Sequence, residues 1–242
     1  MRNVVVTGGS RGLGLGIAAR LARAGYNVIA IARKPSDQLD GAIRKLNGAG
    51  GLNFLPFDLA EVAAIPAMVA ELRKTFGALY GLVNNAGIGT SGLLATMHNS
   101  DIENLIRLNT LSPIILTKYV VRSMMADRDG RVVNVASIVG FTGYSGLSVY
   151  STTKAGLIGF TKSLAREVGQ VGVNVNAVAP GFIDTEMTHD MDESDRQRVV
   201  RRSALRRLPQ VDDIAQTVEF LLGDGARNIT GTVLTVDAGS TA

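Results

Sequence analysis

Cysteine is absent from the 242-residue chain, which excludes disulfides and thiolate chemistry. Histidine is nearly absent too. His98 and His189 lie far apart in sequence, so a histidine-rich metal site is not expected, and no metal is assigned. Aromatic residues make up only 5%, with no basic stripe interleaved among them, which sets a nucleic-acid binder aside. No apolar run approaches the ~18 residues of a membrane span. Linkers, repeats and low-complexity segments are missing, so residues 1–242 read as one domain. No signal-peptide pattern precedes MRNVVVTGG, and a cytoplasmic protein is expected. What remains has globular composition: 46% hydrophobic, 19% charged and a net charge of +4. That mild positive excess suits an anionic partner, and is equally common on soluble enzymes.

Short apolar runs alternate with longer helical patterns. The runs are Val4–Thr7, Asn27–Ala32, Leu52–Phe57, Tyr80–Asn85, Arg131–Ser137, Val173–Pro180 and Thr232–Asp237. Most are continuous, as in strands covered on both faces of a parallel sheet. Helical patterns fill the intervals, among them 13–24, 65–76 and 148–168. Alternating strands and helices imply right-handed βαβ units and a doubly wound α/β sheet with helices on both faces. The polar, arginine-rich stretch 184–208 breaks the alternation after a strand's C-terminal end, the edge where open α/β sheets bind ligands.

TGGSRGLG, Thr7 to Gly14, follows the first strand and opens the first helix. Glycines at 8, 12 and 14 permit a tight turn and close approach of the backbone to a phosphate, which the helix N-terminus then meets with free N–H groups. A dinucleotide site commonly ends its second strand in an acid that holds the ribose 2′-OH. Here that strand ends in Ala32-Arg33-Lys34, and Arg11 sits inside the turn. A guanidinium binds a 2′-phosphate that a carboxylate would repel, so NADP(H) is the expected cofactor. Asp58 has two compatible readings, acceptor for an adenine amino group or cap of the next helix. In NNAG, Asn84 to Gly87, small residues let a cofactor lie against the backbone, while the asparagines can equally tie neighbouring loops together.

SVYSTTK, Ser148 to Lys154, places a tyrosine and a lysine one helical turn apart. Free tyrosine titrates near 10, and a cation one turn away is expected to lower that value. Ser137, at the end of the fifth strand, can hold a substrate oxygen while Tyr150 gives or takes its proton. Taken alone, a Tyr-x-x-x-Lys pair is more simply one face of an amphipathic helix.

Taken together, TGGSRGLG, NNAG, Ser137, YSTTK and Ala179-Pro180-Gly181 resemble the classical short-chain dehydrogenase/reductase family, over essentially the whole chain. The resemblance implies a Rossmann-type, seven-stranded parallel sheet and a nicotinamide cofactor. It implies Tyr150 as the acid–base, Lys154 as its partner and ribose ligand, and Ser137 as holder of the substrate oxygen. It also implies Asn109 as support for a water that links the lysine to solvent. Implied cofactor contacts are Gly8, Ser10, Arg11, Gly12, Leu13, Gly14, Arg33, Asp58, Leu59, Asn85, Ala86, Gly87, Tyr150, Lys154, Pro180, Gly181, Ile183 and Thr185. A homotetramer, paired through helices 100–125 and 148–168, is implied as well.

Within the family, GRVVNVASIVG, AGLIGFTKSLAREV and VNAVAPGFIDTEMT are most similar to reductases of 3-oxoacyl thioesters carried on acyl carrier protein or CoA. Relatives acting on another ketone or alcohol share these runs and are the alternative reading; an idle NADP-binding sensor or scaffold is a lower one, against which the intact serine, tyrosine and lysine argue. Arg128 matches a basic position that docks the acidic carrier protein, whereas a second such position is Val171 here. Arg206 and Ala238 stand where relatives usually carry glycine. The lid region holds Arg196, Arg198, Arg201, Arg202, Arg206 and Arg207. These suit an anionic partner, but a solvated face balanced by Asp190, Asp192, Glu193 and Asp195 is the plainer reading. Met187, Met191 and Leu205 are candidates for the lid's apolar underside.

Overall fold

The structure, a computed structural model, describes residues 1–46, 50–183 and 193–242. Seven strands form one sheet: β1 (Asn3–Thr7), β2 (Asn27–Ala32), β3 (Gly51–Pro56), β4 (Leu79–Asn84), β5 (Gly130–Val135), β6 (Val173–Pro180) and β7 (Val233–Val236). Their order is β3-β2-β1-β4-β5-β6-β7, and every pairing is parallel. The order reverses between β1 and β4, which opens a crevice at the C-terminal ends of those strands. The expected doubly wound sheet is therefore what forms. Run boundaries shift by one or two residues, and Ser137 falls two residues beyond β5 rather than within it.

Continuous apolar strands sit centrally because both of their faces are covered. β1, β4 and β5 are buried at every position. The edge strand β7 is only partly covered. On one face pack α1 (Gly12–Arg23), α2 (Asp37–Arg44) and α8 (Val211–Leu222), with Ile17, Leu21, Val218 and Leu222 in the core. On the other lie α3 (Ile65–Phe76), α5 (Ser112–Asp127) and α6 (Ser148–Val168), with Leu72, Leu116, Val120 and Leu164 inside. Arg20 of α1 bridges Glu219 and Asp212 of α8 at 2.5 and 3.1 Å. α4 (Asn99–Ile106) leads into α5 through a π turn, Arg107–Leu111, and α7 (Glu193–Arg202) follows β6. The long helix expected over 100–125 is thus interrupted at its middle. No described helix is long and apolar enough to cross a membrane.

Candidate active site

The glycine turn is built to meet an anion. Gly8 has φ +66°, and a Cβ on Gly14 would lie 2.1 Å from the Gly8 carbonyl oxygen, so helix and turn press together as only glycine allows. Gly12, at φ +54°, faces open space. Arg11 precedes α1 in extended backbone without a side-chain cap, and the first turn of α1 carries no acid. α2, by contrast, is capped by Ser36 and carries Asp37 and Asp40. The first N–H groups of α1 are therefore uncapped and in a positive field, which fits a phosphate. The Ser36 hydroxyl donates to the Ser10 carbonyl. That bond ties the loop after β2 to the glycine turn and sets the exposed Arg33 and Arg11 on one rim. Leu13 packs against the core.

Sequence reasoning passed over Thr7. Its buried hydroxyl accepts from the N–H groups of Asn85 and Ala86, both at 2.9 Å, and donates to the Val83 carbonyl. Asn85 Nδ2 donates back to the Thr7 carbonyl at 2.8 Å. Strand ends β1 and β4 are thereby clamped across the crevice, with Gly8 against Ala86. Asn84 instead donates to Thr117 and Asn134, both at 2.8 Å, in a buried polar network. Both asparagines do tie neighbouring elements. The only signal for Thr7 was a hydroxyl at the last position of an otherwise apolar strand. Asp58 accepts from the Ala60 N–H at 2.9 Å, closing a turn ahead of α3; it does not cap the helix as expected, since the N-cap of α3 is Ala64. Leu59 turns its side chain into the core, which leaves its main chain for any ligand.

At the far side of the crevice, Lys154 reaches across from α6 and donates to the Val135 carbonyl at 2.9 Å. Its Nζ lies 5.6 Å from the Tyr150 ring centroid, so the two share a helix face as expected. Ser137 caps the short turn Ile138–Gly140, accepting from the Val139 N–H at 3.4 Å. That turn packs directly on α6, where a Cβ on Gly140 would meet the Lys154 carbonyl carbon at 3.0 Å. Asn109, buried in the π turn, binds both backbone groups of Ile88, at 2.9 and 2.8 Å, and reaches Thr153 at 3.4 Å. A Cβ on Gly87 would lie 3.1 Å from Asn109 Oδ1 and 3.8 Å from Lys154 Nζ, so glycine there leaves the three segments in contact.

One expectation is corrected. Lys154 was expected to lower the Tyr150 pKa. Burial instead pushes the Tyr150 phenol up to about 12 and the Lys154 ammonium down to about 8. Desolvation disfavours each charged form, and in the chain alone it outweighs the lysine's attraction for a phenolate.

Pro180 closes β6 against β7, Gly181 packs on Asp237, and Ile183 is buried in the core. Thr185, Met187, His189, Asp190, Met191 and Asp192 lie outside the described residues, as do the side chains of Glu193 and Asp195. Arg201, Arg202, Arg206 and Arg207 are exposed. Arg128 stands ahead of β5, at the opposite edge of the sheet from Ser137, and Val171 packs against the core. An apolar rim that the sequence reading did not name lies on the loops after β4 and β5, at the C-terminal edge of the sheet. Leu93 and Leu94 follow β4, Phe141 and Tyr144 follow β5, and all four are exposed large hydrophobics. Tyr144 meets the Phe182 ring at 5.5 Å, and the Gly92 N–H donates to Gly146, joining the two loops. The family model for short chain dehydrogenases matches residues 2–196.

The chain belongs to the short-chain dehydrogenase family. It is an oxidoreductase of the CH–OH/C=O couple. Within the family it is 41% identical to the 3-oxoacyl-[acyl-carrier-protein] reductase of Escherichia coli K12, over 97% of this chain and 95% of that protein. It is 36% identical to the reductase of the same name from Staphylococcus aureus Mu50, over 98% and 97%. A short chain dehydrogenase from Burkholderia cenocepacia, solved in complex with NADP, superposes with a TM-score of 0.91 at 32% identity, covering 100% of this chain and 98% of that one.

Proposed function

We propose that this short-chain dehydrogenase uses NADPH to reduce a 3-oxoacyl thioester, on acyl carrier protein or CoA, to the 3-hydroxyacyl thioester. NADP(H) is its cofactor, and when bound it supplies the hydride. The uncapped N-terminus of α1 would hold the diphosphate, Arg11 and Arg33 the 2′-phosphate, Asp58 the adenine, and the backbone of Asn85-Ala86-Gly87 and Pro180-Gly181 the remainder. Ser137 donates a hydrogen bond to the ketone oxygen. Tyr150, fully protonated at pH 7 with its pKa near 12, gives its proton to the developing alkoxide. Lys154 stands beside the phenol, mostly cationic at pH 7, and steadies the phenolate that remains.

What supports the reaction is that Lys154, beside Tyr150 on α6, reaches the Val135 carbonyl two residues before Ser137, with the uncapped glycine turn opening α1 after β1. The thioester rests on the apolar rim, which suits an acyl chain better than a polyol, together with the likeness to the reductases above. Pairing of α4–α5 and α6 between copies into a tetramer belongs to the same proposal.

The test follows NADPH oxidation at 340 nm with acetoacetyl-CoA, with NADH and Tyr150→Phe as controls. Fast, NADPH-selective turnover, lost by about a thousandfold in the variant, is the expected result. No turnover with NADPH binding intact would sink the thioester assignment.

A further inference from the structure

The chain between β6 and α8, which carries α7, is tied at both ends to one short turn after β7. At its start, the Gly181 N–H donates to the Val236 carbonyl at 3.0 Å. A Cβ on Gly181 would lie 2.8 Å from the Asp237 Cβ, so the two segments press together as only glycine allows. At its end, just past α7, the Ala204 N–H donates to the Gly239 carbonyl at 3.2 Å and the Leu205 N–H to the Ala238 carbonyl at 3.0 Å. One buried side chain shapes that turn. Asp237 Oδ1 accepts from the Gly239 N–H at 2.8 Å. Its Oδ2 accepts from the Ser240 hydroxyl at 3.1 Å, the Thr241 N–H at 2.9 Å and the Thr241 hydroxyl at 2.7 Å. Burial raises the carboxyl's pKa, yet the bonds from Thr241, Gly239 and Ser240 outweigh it and hold the group below the ordinary value. Ala238 and Gly239 are both left-handed. Residues 237–242, DAGSTA, offer no large apolar side chain to pack the turn in place.

We propose that Asp237 is a positioning residue: its carboxylate folds the turn 237–241, and that turn fixes Gly181 on one side and Ala204-Leu205 on the other. Pro180, paired with Val236, and Gly181 thereby keep their place at the C-terminal edge of the sheet, where the nicotinamide is expected. Asp237 acts through the backbone, by aiming the carbonyls of Val236, Ala238 and Gly239 at the two ends of the α7 segment. The consequence for turnover rests on the function proposed above, whereas the consequence for the two anchored ends does not.

Three variants grade the loss. Asp237→Ala removes every acceptor in the turn's centre. Asp237→Asn, with its carbonyl oxygen in place of Oδ2, keeps the bonds from Ser240 and Thr241. Ser240→Ala combined with Thr241→Val removes both hydroxyls and leaves the carboxylate, which decides the matter should Asp237→Ala not fold. Hydrogen-exchange mass spectrometry on the full chain follows peptides spanning Gly181 and Ala204-Leu205, with β1 and β4 as internal controls. In Asp237→Ala those amides are expected to exchange about tenfold faster or more, with β1 and β4 as in the parent. The double variant shows a smaller rise at the same amides, and asparagine restores most of the protection. Turnover of acetoacetyl-CoA per bound NADPH falls several-fold in Asp237→Ala with the KM for NADPH little changed, and asparagine recovers it. Unchanged exchange at these amides, an equal rise in β1 and β4, or an asparagine variant no better than alanine would overturn the proposal. A rise confined to the two anchored ends, in a protein whose parent turns over no thioester, would overturn the assigned reaction and leave Asp237 in its role.

Discussion

Lys154 is held where a charge is least welcome. It is 4% exposed, its hydrogen bond to Val135 offsets only part of the lost hydration, and burial lowers its pKa from 10.5 to about 8. Because the folded value lies below the unfolded one, the unfolded chain holds more protons between pH 8 and 10.5. Stability from this group therefore rises with pH across that window. Below pH 8 the buried ammonium costs on the order of 3 kcal/mol. Lys154→Met removes that cost and leaves the Val135 carbonyl unpaired, a loss of about 1 kcal/mol. The variant is expected to be inactive, yet about 1–2 kcal/mol more stable than the parent at pH 7, with the gap closing toward pH 10. Urea unfolding at the two pH values measures this, and a gap independent of pH would mean that the ammonium is hydrated. Tyr150, raised to about 12, acts above pH 10 with the opposite sign and leaves the window clear. Tyr150, Lys154, Ser137 and the glycines were legible because chemistry restricts each to few residue types at fixed spacing. Thr7 was not, since a threonine is ordinary in a strand and only the fold brings it opposite Asn85 and Ala86.

Strands and helices were legible for a different reason. An apolar run covered on both faces reads the same whatever its neighbours do, and β2, β6, α3 and α6 coincide with their runs. The π turn was hidden because one extra residue in a turn scarcely disturbs a helical pattern; its trace is a proline four residues after a buried asparagine. The departures at Arg206 and Ala238 also become intelligible as geometry. Both residues are left-handed, at φ +53° and +56°. They belong to two turns that bind each other, Leu205 N–H to the Ala238 carbonyl and Ala204 N–H to Gly239. A non-glycine residue there is strained by about 1–2 kcal/mol, and glycine gives back up to about 1 kcal/mol through the freer unfolded chain. Ala238→Gly is therefore expected to stabilise by up to about 1 kcal/mol, raising Tm by about 2–4 °C. Arg206→Gly gains less, because the Arg206 guanidinium also caps the Arg201 carbonyl at the end of α7. Calorimetry on the two variants checks the order, and a lower Tm for Ala238→Gly would show that the left-handed turn is not under strain.

Across the whole molecule, the residues proposed for the cofactor lie at the C-terminal ends of β1, β2, β3, β4 and β6 and on α6, so a single ligand bound there would engage both halves of the sheet. A ligand that binds only the folded chain stabilises it by about 2.7 kcal/mol at a hundred times its Kd. For a protein of this size that raises Tm by about 5–10 °C. NADPH is expected to produce such a shift, and NADH at equal concentration a much smaller one, because only the former carries the phosphate that Arg11 and Arg33 are placed to meet. Replacing both arginines by alanine should bring the two shifts together by lowering that of NADPH, not by raising that of NADH. The melting temperature of the apo double variant serves as the baseline against which each of its shifts is read. Differential scanning fluorimetry across a titration of each dinucleotide measures all of this without any turnover. Equal shifts in the parent would remove the 2′-phosphate from the recognition and, with it, the ground for NADP over NAD. A selective shift that survives the double substitution would keep the cofactor but move its recognition elsewhere, to Ser10, Lys34 or the backbone of the glycine turn.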